Sequence, residues 1–479
     1  MSKILLINPN KWGRGITHIW IASHSSVLKK NGHEVKLFDS TFYNSWKHNE
    51  TSVEKEFLKT NYDELVTFSN EDPKIDLQKK IDSFKPDVIF WSAISSHIHS
   101  EGEYVNIQNG YDLIKDLKIP KTCLLITGGL QATSAPELIL KKMPKIDFLI
   151  MGESELVLRE IISVLDYKEE IKKIDGVAYI ENLSFKKNKP QKILENLDVL
   201  SPYDYSIFSE QTFLKKYNGK VYKGVDFEFS RGCIYSCAYC VETIIQKYYG
   251  FSEKNEKTGA IKNFKKYSRN KSAKIVFEEI KNLYKNYGVE IFRCQDTNFL
   301  TIDRECLEEL ADLINESNFK IKLYIETRPE GINERSIQLL KKLRVDGIGM
   351  GVEAASENFR QTELKRFANQ DKIIDAFKIL KENNINRTAY NIIGMPSQNE
   401  QSIKDTIEFN KLINPDNISV HYYSPYYGTE CHENAVKQKL FDEYEYDADA
   451  FLRSKSKHPI LTPEKLKYYK ENFVSLIRS

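Results

Sequence analysis

Residues 225–240 read VDFEFSRGCIYSCAYC, and this stretch decides both the fold and the chemistry that we expect. The run 225–230 is rich in apolar residues and predicts a buried β-strand. Three cysteines follow it directly, Cys233, Cys237 and Cys240, with the spacing C-x3-C-x2-C. In parallel α/β proteins, ligands bind beyond the carboxyl ends of the strands. The sequence therefore predicts a cysteine-rich ligand site at the end of a strand.

The spacing of these cysteines favours an iron–sulfur cluster over structural zinc. Thiolates are soft ligands, and three of them in one loop can hold three irons of a 4Fe–4S cluster, which leaves the fourth iron open to a small molecule. Structural zinc takes four ligands, usually as two pairs. A buried trio of apolar thiols is a further alternative, disfavoured by the polar and glycine neighbours. The remaining cysteines are scattered singly, at Cys123, Cys294, Cys306 and Cys431.

Strand and helix patterns continue to alternate beyond the cysteine loop. Because each strand is followed by a helical pattern, we predict six β/α units over residues 216–430, which is a partial barrel smaller than the eight-fold one. Residues 431–479 lack strand patterns and predict a small helical C-terminal region. The six strands are expected at 225–230, 289–293, 321–326, 347–353, 388–393 and 417–422.

The first 165 residues show a similar alternation and predict a separate Rossmann-like domain with a five-stranded parallel sheet. A linker is expected over 166–215, where Lys- and Asn-rich stretches surround a short strand-like run. Small, polar or glycine residues follow several strands, where a large ligand could approach the backbone. For any one of them alone, a tight turn explains the glycine equally well. The five strands are expected at 4–8, 34–39, 87–93, 123–129 and 148–152.

Composition excludes several classes of protein. The 479 residues carry 70 Lys and Arg against 68 Asp and Glu, so no basic surface for nucleic acid is indicated. No apolar run approaches the roughly 18–20 residues of a membrane span. Seven cysteines are too few for a disulfide scaffold. The start, MSKILLINPN, lacks a cleavage pattern, so we expect no signal peptide. Because an exposed iron–sulfur cluster is oxygen-sensitive, we also expect a reducing, cytoplasmic location.

The pattern C-x3-C-x-aromatic-C, with Tyr239 as the aromatic residue, resembles the signature of the radical S-adenosylmethionine (SAM) enzymes. In that family the open iron binds the amino and carboxylate groups of SAM, and reductive cleavage yields methionine and a 5′-deoxyadenosyl radical. The turns after the later strands, such as Gly351-Val352-Glu353, resemble the family's SAM contacts. The resemblance implies cluster ligation by the three loop cysteines. It implies SAM binding by Tyr239, Gln295, Asp296, Glu326, Arg328, Glu353, Gly394 and Pro396.

The N-terminal half resembles the cobalamin-binding domain that precedes the radical module in one large subgroup. The pattern D-x-H-x-x-G is absent, which is common in that subgroup. His97 and His99 follow the third strand as solvated loop residues, with cobalt ligation or proton transfer as the alternative. The resemblance implies cobalamin contacts from Asn8, Pro9, Ser92, Ala93, Thr127, Gly128, Gly129, Gly152 and Glu153.

The two resemblances together imply a cobalamin-dependent radical SAM enzyme. The reaction they imply is C-methylation of an unactivated carbon via methylcobalamin and a 5′-deoxyadenosyl radical, with an external electron donor of the flavodoxin or ferredoxin type. The alternatives are a cyclase or rearrangement enzyme that transfers no methyl group, and a non-catalytic metal- or cobalamin-binding sensor. A methylthiotransferase is disfavoured, because only Cys123 lies upstream of the loop to hold a second cluster. The substrate stays open between small molecule, lipid and peptide, and Cys431 is a candidate reactive thiol beside it.

Overall fold

The computed structural model describes residues 1–47, 60–94, 103–442 and 457–479, and for 103–106 the backbone alone. His97 and His99 lie outside the described residues. The described residues divide into two compact units. The first comprises residues 1–47, 61–94, 103–215 and 244–250, and the second comprises residue 60 and residues 216–243, 251–442 and 457–479. In the described ranges no helix has the length and apolar character to cross a membrane.

The first unit contains a seven-stranded sheet of order β2-β1-β3-β4-β5-β6-β7. Its first five strands are parallel, as predicted, and lie within about three residues of the predicted positions. Apart from the edge strand β2, they are short and almost fully buried, as expected for strands covered on both faces. The strands are β1 Lys3–Asn8, β2 Glu34–Asp39, β3 Val88–Trp91, β4 Leu124–Thr127, β5 Phe148–Ile150, β6 Val177–Glu181 and β7 Ser184–Lys187.

Two strands of this sheet lie in the segment 166–215, for which the sequence predicts a linker. Strand β6 pairs antiparallel with β5, and β7 pairs antiparallel with β6. Without β6, the buried strand β5 would present unpaired amides and carbonyls at the edge of the sheet. The Gly176 carbonyl accepts from the Met151 amide at 2.8 Å, which continues the pairing beyond β5.

Helix α1 is the most buried helix of the first unit and packs against α7. Its buried serine and histidine side chains are hydrogen-bonded, as burial requires. The Ser23 hydroxyl donates to Glu155 Oε1 at 2.9 Å, and His24 Nε2 lies 2.9 Å from Ser154 Oγ. The helices are α1 Ile19–Lys30, α2 Tyr62–Leu65, α3 Pro73–Phe84, α4 Glu103–Ile114, α5 Leu130–Ser134, α6 Pro136–Lys142, α7 Glu155–Ser163 and α8 Lys168–Ile171.

The second unit contains an open seven-stranded sheet of order β16-β15-β14-β13-β12-β9-β8. Its six parallel strands are the six predicted from the sequence, and β8 is added beside β9. The fold is therefore the expected partial barrel. The strands are β8 Leu214–Tyr217, β9 Lys220–Phe227, β10 Ser230–Arg231, β11 Arg269–Asn270, β12 Ile291–Cys294, β13 Lys322–Thr327, β14 Val345–Glu353, β15 Asn386–Ile393 and β16 Asn417–Tyr422.

Helices connect these strands, and several begin at capping side chains. Asp303 accepts the Cys306 amide at the start of α12, and Asn333 and Asn399 form capping boxes at α13 and α16. The helices are α9 Glu242–Tyr248, α10 Phe264–Tyr267, α11 Ala273–Tyr287, α12 Arg304–Glu316, α13 Glu334–Lys342, α14 Glu357–Thr362, α15 Gln370–Glu382, α16 Glu400–Ile413, α17 Glu430–Lys437 and α18 Pro463–Arg478.

The two faces of the second sheet differ in polarity. Along β13, Leu323 and Ile325 are fully buried, whereas the alternate residues Tyr324 and Glu326 are partly exposed. Successive side chains of a strand point to opposite faces. One face is therefore apolar and buried, and the other is polar and partly open.

Helix α18 packs against the last strands of the sheet and covers part of its apolar face. Leu466 and Phe473 lie in a cluster of buried residues with Ile393 of β15 and Ile418 of β16. The C-terminal region is therefore part of the second unit's core, and helical as predicted.

We predict that Phe473→Ala destabilises the protein by about 3–5 kcal/mol, because the side chain is fully buried and its removal leaves a cavity. Chemical denaturation followed by circular dichroism measures this change. Phe264→Ala is the matched control, since Phe264 is 41% exposed. Equal effects of the two substitutions would contradict the packing described for α18.

Candidate functional site

The three loop cysteines follow β9 and the short strand β10, which pairs antiparallel with β11. The loop begins at Gly232, whose φ of 90° favours glycine. A Cβ added there would lie 2.6 Å from the Tyr267 carbonyl oxygen. The turn that starts the loop therefore requires glycine for both its backbone angle and its close packing.

Asp296 lies beneath the start of this loop and is fully buried. Its Oδ1 accepts from the Ser230 amide and from the Ser230 hydroxyl, both at 2.6 Å, and from the Phe229 amide at 3.1 Å. Burial raises the pKa of Asp296 to about 7, against the effect of these hydrogen bonds. The sequence predicts SAM binding here, whereas in the structure the carboxyl group anchors the backbone that leads to the cysteines.

Backbone hydrogen bonds hold the cysteine loop from several sides. The Cys233 amide donates to Glu242 Oε1 at 3.0 Å, and the Ala238 amide donates to the Leu364 carbonyl at 2.9 Å. The Tyr235 amide lies 3.5 Å from Cys233 Sγ and donates to it. The loop is thus held in place by the protein's own contacts.

None of the seven cysteines is in a disulfide. Burial raises the pKa of Cys233 to about 12, while Arg328 acts in the opposite direction. Three thiols in one anchored loop are the donor set that an iron–sulfur cluster takes. In the described part of the chain, no group of three or more His, Cys, Asp or Glu side chains is placed to hold a single metal ion.

Arg328 is a buried cation next to this loop. Its guanidinium lies 3.8 Å from the centre of the Tyr235 ring, and the residue is 6% exposed. Nη2 pairs with Glu330 at 2.7 Å, whereas Nε and Nη1 have no hydrogen-bond partner among the described residues. A buried guanidinium with unused donors is suited to bind a carboxylate. Such a group is suited to the SAM binding that the sequence predicts for Arg328, and this contact stays a prediction.

Tyr239 and Glu353, both predicted to bind SAM, are brought together. The Tyr239 hydroxyl donates to Glu353 Oε1 at 2.9 Å. Arg366 joins them, with Nη1 3.8 Å from Glu353 Oε1 and Nη2 donating to the Gly351 carbonyl at 2.8 Å. The sequence analysis missed Arg366, which lies in a loop after α14 without any pattern to identify it.

The other predicted SAM residues lie apart from this group. Gln295 is buried and its amide donates to Asp226 Oδ1 at 2.7 Å. Glu326 lies on the polar face of the sheet and accepts from Tyr390 at 3.0 Å. Gly394 and Pro396 follow β15, and Gly394 has a φ of 83°. Each of these contacts to SAM stays a prediction.

The polar face holds residues that the sequence analysis missed. Strand pairing places Asp226, Arg293 and Tyr324 side by side on β9, β12 and β13. Tyr390 on β15 extends the same face, and its hydroxyl lies 2.9 Å from that of Tyr324. Polar residues at every second position of otherwise apolar strands are the signal that could have identified them.

Cys431 is not an exposed reactive thiol. It is 6% exposed and packs in an apolar cluster with Ala238, Leu364, Met395 and Tyr423. Its amide donates to the Ala238 carbonyl at 3.1 Å. Burial raises the pKa of Cys431 to about 12, so the group is a protonated thiol at neutral pH.

In the first unit, the predicted cobalamin residues lie at the carboxyl ends of neighbouring strands. Asn8 ends β1, fully buried, and its amide donates to Asp39 Oδ1 at 3.0 Å. The second oxygens, Asn8 Oδ1 and Asp39 Oδ2, have no hydrogen-bond partner among the described residues. Pro9 follows, and its carbonyl lies 3.5 Å from Trp46 Nε1. At the carboxyl ends of β1 and β2, these two side-chain oxygens therefore receive no hydrogen bond from the described residues.

Gly128 and Gly129 follow β4, where close packing within the unit already explains both glycines. A Cβ on Gly129 would lie 2.6 Å from Ser92 Oγ, and one on Gly128 would lie 3.0 Å from the Ile150 carbonyl. Thr127 donates its hydroxyl to the Trp91 carbonyl at 2.5 Å. Ser92 has a φ of 60°, and Ala93 beside it is buried. The glycines therefore do not themselves indicate a ligand.

Gly152 and Glu153 are covered by the protein's own side chains. The Glu153 amide donates to the Tyr249 hydroxyl at 2.9 Å, and Gln191 Nε2 donates to the Glu153 carbonyl at 2.7 Å. A Cβ on Gly152 would lie 2.5 Å from the Tyr249 oxygen and 2.6 Å from the Tyr248 ring. Tyrosine rings thus occupy the side of this turn where a ligand was expected.

Gln131, in the first turn of α5, is the strongest ligand candidate of the first unit, and the sequence analysis missed it. It is 1% exposed, and neither its amide nitrogen nor its amide oxygen has a partner among the described residues. Buried amide groups are normally hydrogen-bonded. Cobalamin carries primary amides around its corrin ring, which both donate and accept. Gln131, Asn8 and Asp39 therefore fit that cofactor.

Comparisons with known proteins agree with the geometry of the cysteine loop. Residues 227–409 match the Radical SAM superfamily. An uncharacterized methyltransferase of Pyrococcus horikoshii is 26% identical over 381 residues, covering 79% of this chain and 74% of that protein. An anaerobic magnesium-protoporphyrin IX monomethyl ester cyclase of Synechocystis is 24% identical over 334 residues, covering 68% of this chain and 61% of that protein.

The fold is similar to that of TsrM, a radical SAM methyltransferase from Kitasatospora setae. The TM-score is 0.70 at 13% identity, over 99% of this chain and 89% of that chain. TsrM has been solved with tryptophan and a SAM analogue, and separately with cobalamin and a [4Fe–4S] cluster. Residues 227–409 are therefore similar to the Radical SAM superfamily, and the fold is a Rossmann-like domain followed by a partial β/α barrel.

Proposed function

We propose that this protein is a cobalamin-dependent radical SAM methyltransferase that acts on an unactivated carbon. The observation that carries the proposal is the anchored loop of three thiols at the carboxyl end of the first barrel strand, with the buried Arg328 against it. A loop of three cysteines leaves one iron of a 4Fe–4S cluster for SAM, and Arg328 supplies the positive charge for the SAM carboxylate.

The chain's own residues bind and orient the cofactors. Cys233, Cys237 and Cys240 would hold the cluster, and Tyr239 with Glu353 would line the SAM site. Asn8, Asp39 and Gln131 would hold the amides of cobalamin. When bound, the cluster with SAM supplies a hydrogen-abstracting radical, and cobalamin supplies the methyl group. The protein's contribution is to position donor and acceptor and to exclude water.

A cyclase that transfers no methyl group is the second candidate. It is supported by the similarity to the magnesium-protoporphyrin cyclase of Synechocystis. The methyltransferase is favoured because the similarity to the Pyrococcus protein covers more of both chains, and because the fold follows TsrM along almost its whole length.

We predict that anaerobically reconstituted protein holds about four irons per chain, and that the triple variant Cys233→Ala, Cys237→Ala, Cys240→Ala holds almost none. Iron and sulfide analysis with the absorbance spectrum measures this. Cys306→Ala is the matched control, because Cys306 lies on α12 outside the loop. Stoichiometric zinc without iron in the native protein would refute cluster binding.

Arg328→Gln should raise the dissociation constant for SAM by about tenfold, because it removes a charge-assisted hydrogen bond to a carboxylate. The measurement is anaerobic isothermal titration of the reconstituted protein. Arg304→Gln, on the exposed side of α12, controls for the loss of a surface arginine. An unchanged affinity in Arg328→Gln would remove this residue from the SAM site.

The full chain, mixed with hydroxocobalamin, should keep the pigment through gel filtration. Gln131→Leu should raise the dissociation constant about fivefold, because the amide loses its hydrogen bonds while the volume is kept. Gln401→Leu, on the exposed side of α16, should bind as the wild type does. A folded wild-type protein that elutes without colour would show that the first unit does not bind cobalamin.

The reaction type is tested once a substrate is in hand, by incubating that substrate with the protein, SAM, cobalamin and a low-potential reductant under anaerobic conditions. A methyltransferase should form both 5′-deoxyadenosine and S-adenosylhomocysteine, because SAM serves as radical source and as methyl donor. Chromatography with methyl-labelled SAM quantifies the two products. If 5′-deoxyadenosine forms without S-adenosylhomocysteine, the cyclase is the correct assignment.

A further inference from the structure

The polar face of the second sheet carries charges of both signs near the carboxyl ends of its strands. Arg293 on β12 pairs in register with Asp226 on β9 and with Tyr324 on β13. Glu326 lies two residues beyond Tyr324 on the same face. Neighbouring strands lie about 4.8 Å apart and alternate residues about 6.7 Å apart. Arg293 and Glu326 are thus close neighbours on one surface.

Arg293 has unused capacity for hydrogen bonds. Its nearest carboxylate contact is 4.0 Å, between Nη1 and Asp226 Oδ1, which is too long for a hydrogen bond. Its side chain is 38% exposed on an otherwise enclosed face. In the described part of the chain, its guanidinium forms no hydrogen bond with another residue.

Glu326 is held in position by a hydrogen bond from a tyrosine and not by a hydrogen bond from a basic side chain among the described residues. It accepts one hydrogen bond at Oε1, from the Tyr390 hydroxyl at 3.0 Å. Tyr390 is held in turn by Tyr324, whose hydroxyl is 2.9 Å away. Among the described residues no salt bridge within 4.0 Å joins Glu326 to a basic side chain, although the carboxylates of Asp226 and Glu326 raise the pKa of Arg293 against the effect of burial. The carboxylate therefore keeps an acceptor free toward the open face.

Glycines make room for the tyrosines that position Glu326. A Cβ on Gly349 would lie 2.6 Å from the Tyr390 oxygen and 2.8 Å from the Tyr324 oxygen. Strand β14 presents no side chain at this position, so the two tyrosines lie across it.

We infer that this face binds the amino-acid moiety of the substrate, with Arg293 receiving its carboxylate and Glu326 its ammonium group. An amino acid carries both charges a few ångströms apart. This matches Glu326 and Arg293, a carboxylate and a guanidinium that are neighbours but are not hydrogen-bonded to each other. The inference rests on the proposed function and names its substrate class.

The same charges disfavour the other substrate classes that the sequence leaves open. Covering Arg293 and Glu326 with a hydrocarbon would remove water from two charged groups without replacing its hydrogen bonds, and that is costly. A sterol-like lipid would do so. A zwitterion instead brings a carboxylate that can bind Arg293 and an ammonium group that can bind Glu326.

The experiment uses the reconstituted full chain with SAM bound, titrated by anaerobic calorimetry with each of the twenty L-amino acids and with trialanine. At least one of these probes should bind saturably. Arg293→Gln should weaken that binding at least about tenfold, whereas the methyl ester of the same probe should bind both proteins equally. Glu326→Gln should weaken the free amine at least about tenfold and leave the N-acetyl form unaffected.

The controls separate this inference from the proposed function. Arg304→Gln should bind the probe as the wild type does, since Arg304 pairs with Glu308 on an exposed helix face. Circular dichroism and iron content confirm that each variant is folded and loaded. SAM cleavage to 5′-deoxyadenosine tests the radical chemistry independently of the probe.

Three results would overturn the inference while leaving the radical chemistry intact. The first is binding of none of the probes by a protein that still cleaves SAM. The second is binding that Arg293→Gln leaves unchanged. The third is a loss of SAM affinity in Glu326→Gln with probe affinity unchanged, which would return Glu326 to the SAM site.

Discussion

The carboxyl group of Asp296 fixes the point at which the cysteine loop leaves the sheet. Two backbone amides and one hydroxyl, from Phe229 and Ser230, converge on this single buried group. A buried carboxyl is stable only when its hydrogen bonds are made, and here they are made to the residues that precede the loop. The position of the three thiols relative to β9, and with it the position of Arg328 over Tyr235, depends on this contact.

The alternation of buried and partly exposed residues organises the rest of the second unit. Each strand gives one set of side chains to a core shared with helices and another to a polar surface. Leu323 and Ile325 belong to the core, while Tyr324 and Glu326 belong to the surface. A single strand thus contributes to stability and to the site. This arrangement allows charged residues in the middle of strands without burying them in an apolar core.

Sequence periodicity was sufficient to predict the six parallel strands of the second unit and the five of the first. It was insufficient for β6 and β7, because their Lys-rich composition is typical of a connector and only the open edge of β5 explains their pairing. The cysteines were predictable from their spacing alone. Gln131 and Arg366 were not predictable. Gln131 is recognised by its buried amide without hydrogen bonds among the described residues, and Arg366 by its contacts with residues distant in sequence. Neither property leaves a periodic pattern in the sequence.

The division of the chain into units also has a consequence for dissecting the protein. The first unit takes in Ile244–Gly250, seven residues that follow the cysteine loop by only a few positions. Tyr248 and Tyr249 in this segment close the turn at Gly152 and Glu153. A fragment truncated after residue 215 would therefore lack part of its own structure, and an inserted linker at that point would not restore it. The two units are interleaved in sequence, so a single crossover cannot exchange them as independent modules.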